Sequence, residues 1–170
     1  MTRYDFAKHT YASTMVLVQE LVSDATVIDR VLARNRTAWE RIRRGADDPV
    51  DWGALGFTIQ TLYGVLENYF LRISKHFEND LPSERRHAAL VERMRLDVPG
   101  VRPAFLQARE EERQLREILR FRHRLRHLYG EDLDPRKTAA VQEIVMDFLS
   151  RFPALHADFV ARLRSIADEL

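Results

Sequence analysis

The chain of 170 residues has no cysteine, which excludes disulfides, thiolate nucleophiles and thiolate metal ligands. It has no run of about 18 apolar residues, the length a membrane-crossing helix needs, so no membrane partner is expected. Met1 to Thr10 are polar and mixed in charge, with neither the apolar stretch nor the small-residue cleavage site of a secretory signal. Glycine and proline are scarce, six of each, and they fall between periodic stretches. No repeat, low-complexity tract or linker is visible, so residues 1–170 read as one domain. Excess charge is also missing: the net value of +1 selects no partner by itself. Lysine is nearly absent, with only Lys8, Lys75 and Lys137 among 27 basic residues. The rest are arginines, whose planar guanidinium makes bidentate contacts with phosphate, although GC-rich coding gives the same bias. These features fit a cytoplasmic protein.

What is present is helical periodicity. Residues 11–44 predict one long helix, with Met15, Val18, Val22, Ile28, Val31, Leu32, Trp39 and Ile42 as apolar members, ended by Gly45 and the turn-like Asp47-Asp48-Pro49. Asp51 is placed to cap a second helix to about Phe77, whose stripe Leu55, Ile59, Leu62, Leu66, Tyr69 and Ile73 is close to 3.6-residue spacing. A third begins near Pro82-Ser83 and carries Leu90, Val91 and Met94. Val98 to Pro103 is a connector bracketed by prolines. A fourth runs from about Phe105 to Tyr129, with Gly130 as its stop, and a fifth from about Pro135 to Asp168, kinked or split by Pro153. The fold expected is all-α: an antiparallel bundle of about five helices.

The strip Phe121-Arg122-His123-Arg124-Leu125-Arg126-His127-Leu128-Tyr129-Gly130 carries the chemistry. From Leu119 to Gly130 there are four arginines and two histidines and no acid. A helix C-terminus favours cations only modestly, so six basic groups amount to a local field suited to a phosphodiester. On a helical wheel Ile118, Phe121, Leu125 and Tyr129 mark the apolar face, and Arg122 lies within about 60° of three of them. Arg120 and Arg124 point to solvent. Arg122 is therefore an arginine where packing would take leucine, and a half-buried charge needs a partner. Glu67 on the second helix is the candidate, and a structural bridge is the plainer explanation of that pair alone. His127 lies about 140° from Arg122 on an ideal helix, so the two converge only at a helix end or across a dimer axis. Two histidines would then supply base and acid, and arginine would stabilise the phosphorane. His123 and His127 share a face, but two ligands without cysteine do not make a zinc site, and the arginines around them repel a cation. The arginines at 30, 34, 36, 41, 43 and 44 form a second basic cluster, to which no function is assigned.

Arg122-His123, three residues, then His127-Leu128-Tyr129 resembles the motif of HEPN-domain ribonucleases, in particular the HepT-like toxins of prokaryotic toxin–antitoxin modules. Leu62-Tyr63 followed by Glu67, then His87 with Leu90 and Met94, then Arg102-Pro103, and finally the strip with Arg126-His127 and Tyr129-Gly130 resemble one HepT-like branch in the same order. The resemblance covers about residues 50–168. It implies a homodimeric endoribonuclease that needs no metal or cofactor and leaves a 2′,3′-cyclic phosphate. Arg122 and His127 would be the catalytic pair. His123 would hold the polar position usually taken by asparagine or aspartate, with Glu67 and Arg126 supporting. Tyr129 would line the cleft and accept AMP from a minimal nucleotidyltransferase antitoxin; core packing is its other role. The alternative is an inactive HEPN-like dimer that binds RNA, nucleotide or a partner protein. A plain helical scaffold with a structural Arg122–Glu67 pair would be a monomer without nucleic-acid affinity.

Overall fold

The computed structural model describes residues 3–78, 86–128 and 130–169. Five helices follow in order: α1 Arg3–Arg43, α2 Pro49–Phe77, α3 Arg86–Arg93, α4 Arg109–Arg126 and α5 Pro135–Asp168. Among the described residues there is no strand, only an isolated bridge between Val98 and Arg102. The all-α bundle is therefore as expected, with several boundaries moved. The expected start of the third helix at Pro82-Ser83 lies outside the described residues.

α1 begins eight residues before the expected Tyr11, because residues 3–10 contain no glycine or proline to stop a helix. The cap of α2 is Asp48, not Asp51. The Asp48 carboxylate accepts from the Val50 N–H at 2.7 Å, and Pro49 takes the first helical position, where its missing N–H costs nothing. Asp51 instead accepts from Arg41 of α1 at 2.9 Å. Arg41 with Asp51, Asn35 with Thr58 and Arg72 with Asp24 link α1 to α2 with numbers rising on one helix as they fall on the other, which fixes the pair as antiparallel. At the middle of this pair Asn35 also exchanges two amide hydrogen bonds with Gln142 of α5, at 2.9 and 2.7 Å, all of it buried.

α2 is the central element and packs against each of the other four helices. Its stripe Leu55, Ile59, Leu62, Leu66 and Ile73 is fully buried, each such side chain stabilising the fold by roughly 1.5–3 kcal/mol. At its far end Tyr69 and Phe70 meet Phe105 and Phe152 with ring centroids 5.3–5.4 Å apart. Phe105 is there because the chain before α4 is a strap, not a helix: the N–H groups of Phe105 and Leu106 both donate to the Met94 carbonyl at 2.9 Å. α4 accordingly starts only at Arg109, where Glu111 reaches back to accept from the N–H groups of Gln107 and Ala108. α5 passes through Pro153 without being divided. No helix among the described residues is long and apolar enough to cross a membrane.

Candidate nucleotide phosphate site at the α2, α3 and α4 junction

Glu67 is a carboxylate inside the α2 stripe, four residues after Tyr63 and so on the same face. Its side chain is only 11% exposed and faces α3 and α4. One oxygen, Oε2, lies 3.4 Å from Nη1 of Arg122, and the other accepts a short hydrogen bond from Nδ1 of His87. A carboxylate can only accept, so Nδ1 of His87 carries a proton, and when the ring is neutral Nε2 holds the lone pair.

Arg122 is where the wheel put it, on the edge of the packed face, with a side chain 16% exposed. Its guanidinium also lies over the Tyr63 ring, 5.3 Å from the centroid. Burial first, and then the Glu67 carboxylate, push the Tyr63 phenol far above its ordinary range, against the pull of Arg122 and Arg116. The phenol therefore stays neutral and Tyr63 acts as an aromatic wall. The cost of holding Arg122 off the surface is offset by a charged partner and a π face, each pointing at the same group.

His123 stands on the open side of this arrangement, with its ring edge-on to that of His87 at 5.9 Å between centroids. Burial, then the charges of His87, Arg122, His127 and Arg126 in turn, hold the His123 imidazole below its usual value. His123 thus feels the charges of both Arg122 and His127. His127 and Arg126 are themselves exposed. α4 stops at Arg126, three residues before the expected Tyr129, and His127 is its C-cap, its N–H donating to the Arg124 carbonyl at 3.0 Å. The angle of an ideal helix therefore no longer governs its direction. Tyr129 lies outside the described residues. Gly130 keeps a positive φ of 77°, beyond the helix end rather than at it.

Of the residues singled out in the sequence, the fold joins Arg122 to Glu67 directly, sets His123 against the ring of His87 and leaves His127 and Arg126 exposed. Arg120 and Arg124 are exposed as expected. Among the described residues no group of three or more His, Cys, Asp or Glu side chains could hold a metal ion. The residue that sequence reasoning left out of the site is His87. No spacing rule links it to residue 67 or 123; only its place in the ordered signature hinted at it. α3 brings it in, and α3 is held by Arg102, which is buried in the connector, pairs with Glu78 and donates to the Arg93 carbonyl.

A helical bundle with a basic strip at the end of its fourth helix and an acid inside its second fits a HEPN-type protein. A family model described as HepT-like protein matches residues 54–163, and the chain belongs to that family. The match takes in α3 and α4 whole and most of α2 and α5, while α1 lies outside it. Neither the curated proteins nor the solved structures gave a match.

Proposed function

We propose that this HepT-like protein is a metal-independent endoribonuclease, the toxin of a toxin–antitoxin pair whose other half is a minimal nucleotidyltransferase. The observation that carries the reading is the position of Arg122: half-buried, fixed between Glu67 and Tyr63, and bordered on its open side by His123 in a strip that ends on His127. A fixed guanidinium beside proton-transferring imidazoles is what 2′-hydroxyl attack requires. RNA brings its own nucleophile, so no metal-activated water is needed, and the product is a 2′,3′-cyclic phosphate. Arg122 stabilises charge on the phosphorane and His127 transfers a proton. The working form is a homodimer in the cytoplasm, one domain per chain. Arg126 adds charge to the RNA path, and Tyr129 is the residue the antitoxin would modify with AMP.

The test is incubation of the purified protein with total RNA in EDTA. Cleavage to 2′,3′-cyclic ends is expected, and His127→Ala should abolish it while helicity and oligomeric state persist. Loss of cleavage on chelation, or a fully active His127→Ala, rejects the mechanism. One observation favours a second reading, an inactive dimer that only binds RNA, nucleotide or a protein: Glu67 already neutralises part of the Arg122 charge. That reading predicts binding without cleavage.

A further inference from the structure

The proposed pair of Arg122 and His127 leaves one proton transfer without an owner inside the chain, since attack of the 2′-hydroxyl and departure of the 5′-oxygen each need one. We infer that His87 of α3 is that second catalytic residue and that Glu67 is its positioning residue; the inference rests on the ribonuclease reading above.

Three observations converge on His87. First, the two oxygens of one buried carboxylate hold His87 and Arg122, which places the imidazole and the guanidinium side by side across a group about 2 Å wide. Second, the hydrogen bond to Glu67 uses Nδ1, which fixes the tautomer of the neutral ring as the one with Nε2 free to accept. This is the division of labour of an acid–histidine pair in acyl transfer, where the carboxylate orients the ring and stabilises the imidazolium as it forms. Third, the His87 side chain is 37% exposed while its partner is 11% exposed, so the couple runs from the packed interior to the surface that carries His123.

The step balances without any added reagent. Nε2 of His87 takes the 2′-hydroxyl proton as the 2′-oxygen bonds to phosphorus. Arg122 meets the charge on the non-bridging oxygens. The bond from phosphorus to the 5′-oxygen breaks, and His127 gives that oxygen its proton. His87 ends protonated and His127 neutral, and solvent exchanges the proton back. The titratable groups in contact with His87 are Glu67 from α2 and His123 from α4, and the charges of Arg122, His127 and Arg126 act in turn on His123. A second subunit's histidine is then not required to complete the acid–base pair.

The competing explanation is that His87 only pins α3 to α2. Asparagine separates the two, because its amide N–H can replace Nδ1–H toward Glu67 but cannot carry a proton to and from substrate. Cleavage of a random-sequence 20-nucleotide RNA should be followed across pH for the wild type, His87→Ala, His87→Asn and Glu67→Gln, with circular dichroism as the fold control. Both His87 variants are expected to lose about 10²–10⁴-fold in kcat/KM and one side of the pH profile. Glu67→Gln should move that side rather than erase it. Recovery by His87→Asn to within threefold of wild type, or an active His87→Ala with both sides of the profile intact, overturns the inference while leaving the ribonuclease reading in place. An active wild type with active His127→Ala rejects the Arg122–His127 pairing, and loss in both His87 variants still supports this assignment. A wild type that leaves the RNA intact overturns both.

Discussion

The carboxylate of Glu67 meets Arg122 from α4 on one oxygen and His87 from α3 on the other, so a single side chain of the central helix sets the geometry between two helices that carry chemistry. Arg122 needs that carboxylate to be held inside the bundle, and the carboxylate needs two donors to be buried at all.

The guanidinium is expected to matter for more than its charge. Arg122→Lys keeps a cation near Glu67 but loses the planar face over Tyr63 and the fork toward phosphate. RNA cleavage should fall by about 100-fold or more, while circular dichroism should show the helical fold retained. Cleavage at the wild-type rate by this variant would show that any cation at residue 122 suffices.

Gly56 controls the segment that follows the site. A β-carbon there would stand 2.5 Å from Cδ1 of Leu133, which follows the end of α4, with Leu125 and Phe121 at 3.7 Å. Alanine gains about 1 kcal/mol of helix propensity, and displacing Leu133 costs a similar amount. Gly56→Ala should therefore leave the unfolding midpoint nearly unchanged yet reduce RNA cleavage severalfold, because the path from Leu133 back to His127 is short. The double variant Gly56→Ala with Leu133→Ala should recover activity. If Gly56→Ala cleaves RNA as the wild type does, the position of Leu133 does not reach the site.

Two half-buried histidines make the fold sensitive to mild acid. Burial is the main cause holding His76 and His156 below their ordinary value of 6.5, against the opposing charges of Glu20 on His76 and Asp29 on His156. The Tyr69 hydroxyl and Nδ1 of His156 share a hydrogen bond at 2.9 Å, and burial raises the Tyr69 phenol, so it keeps its proton. The unfolded chain takes up protons at these positions as pH falls through 6.5, before the folded chain does. Stability is therefore full above that value and declines below it. Thermal melts should show Tm falling between about pH 7 and pH 5, with a shallower slope for His156→Gln. A flat Tm across that range would contradict the burial of these rings.

The helical class and the α2 stripe were legible in the sequence, because periodic apolar residues report which side of a helix is buried whatever it packs against. The boundaries were less so. Asp51 looked like a cap until Pro49 and Asp48 took that position, and Phe105 looked helical until its N–H found the Met94 carbonyl. The first outcome is local, an Asp-Pro pair at the helix start; the second depends on a partner elsewhere in the chain, which local propensity does not report.

The strip of residues 121–130 shows the same division. Its charge, the odd placement of Arg122 and the suggestion of Glu67 as partner came from the sequence, since a wheel and the cost of a buried charge are enough for them. Where α4 ends, and so where His127 is carried, was settled by the tertiary structure, as was the arrival of His87. Residues 67, 87 and 122 belong to three helices with no common period, and only the packing of α3 across α2 and α4 brings His87 and Arg122 to the carboxylate of Glu67.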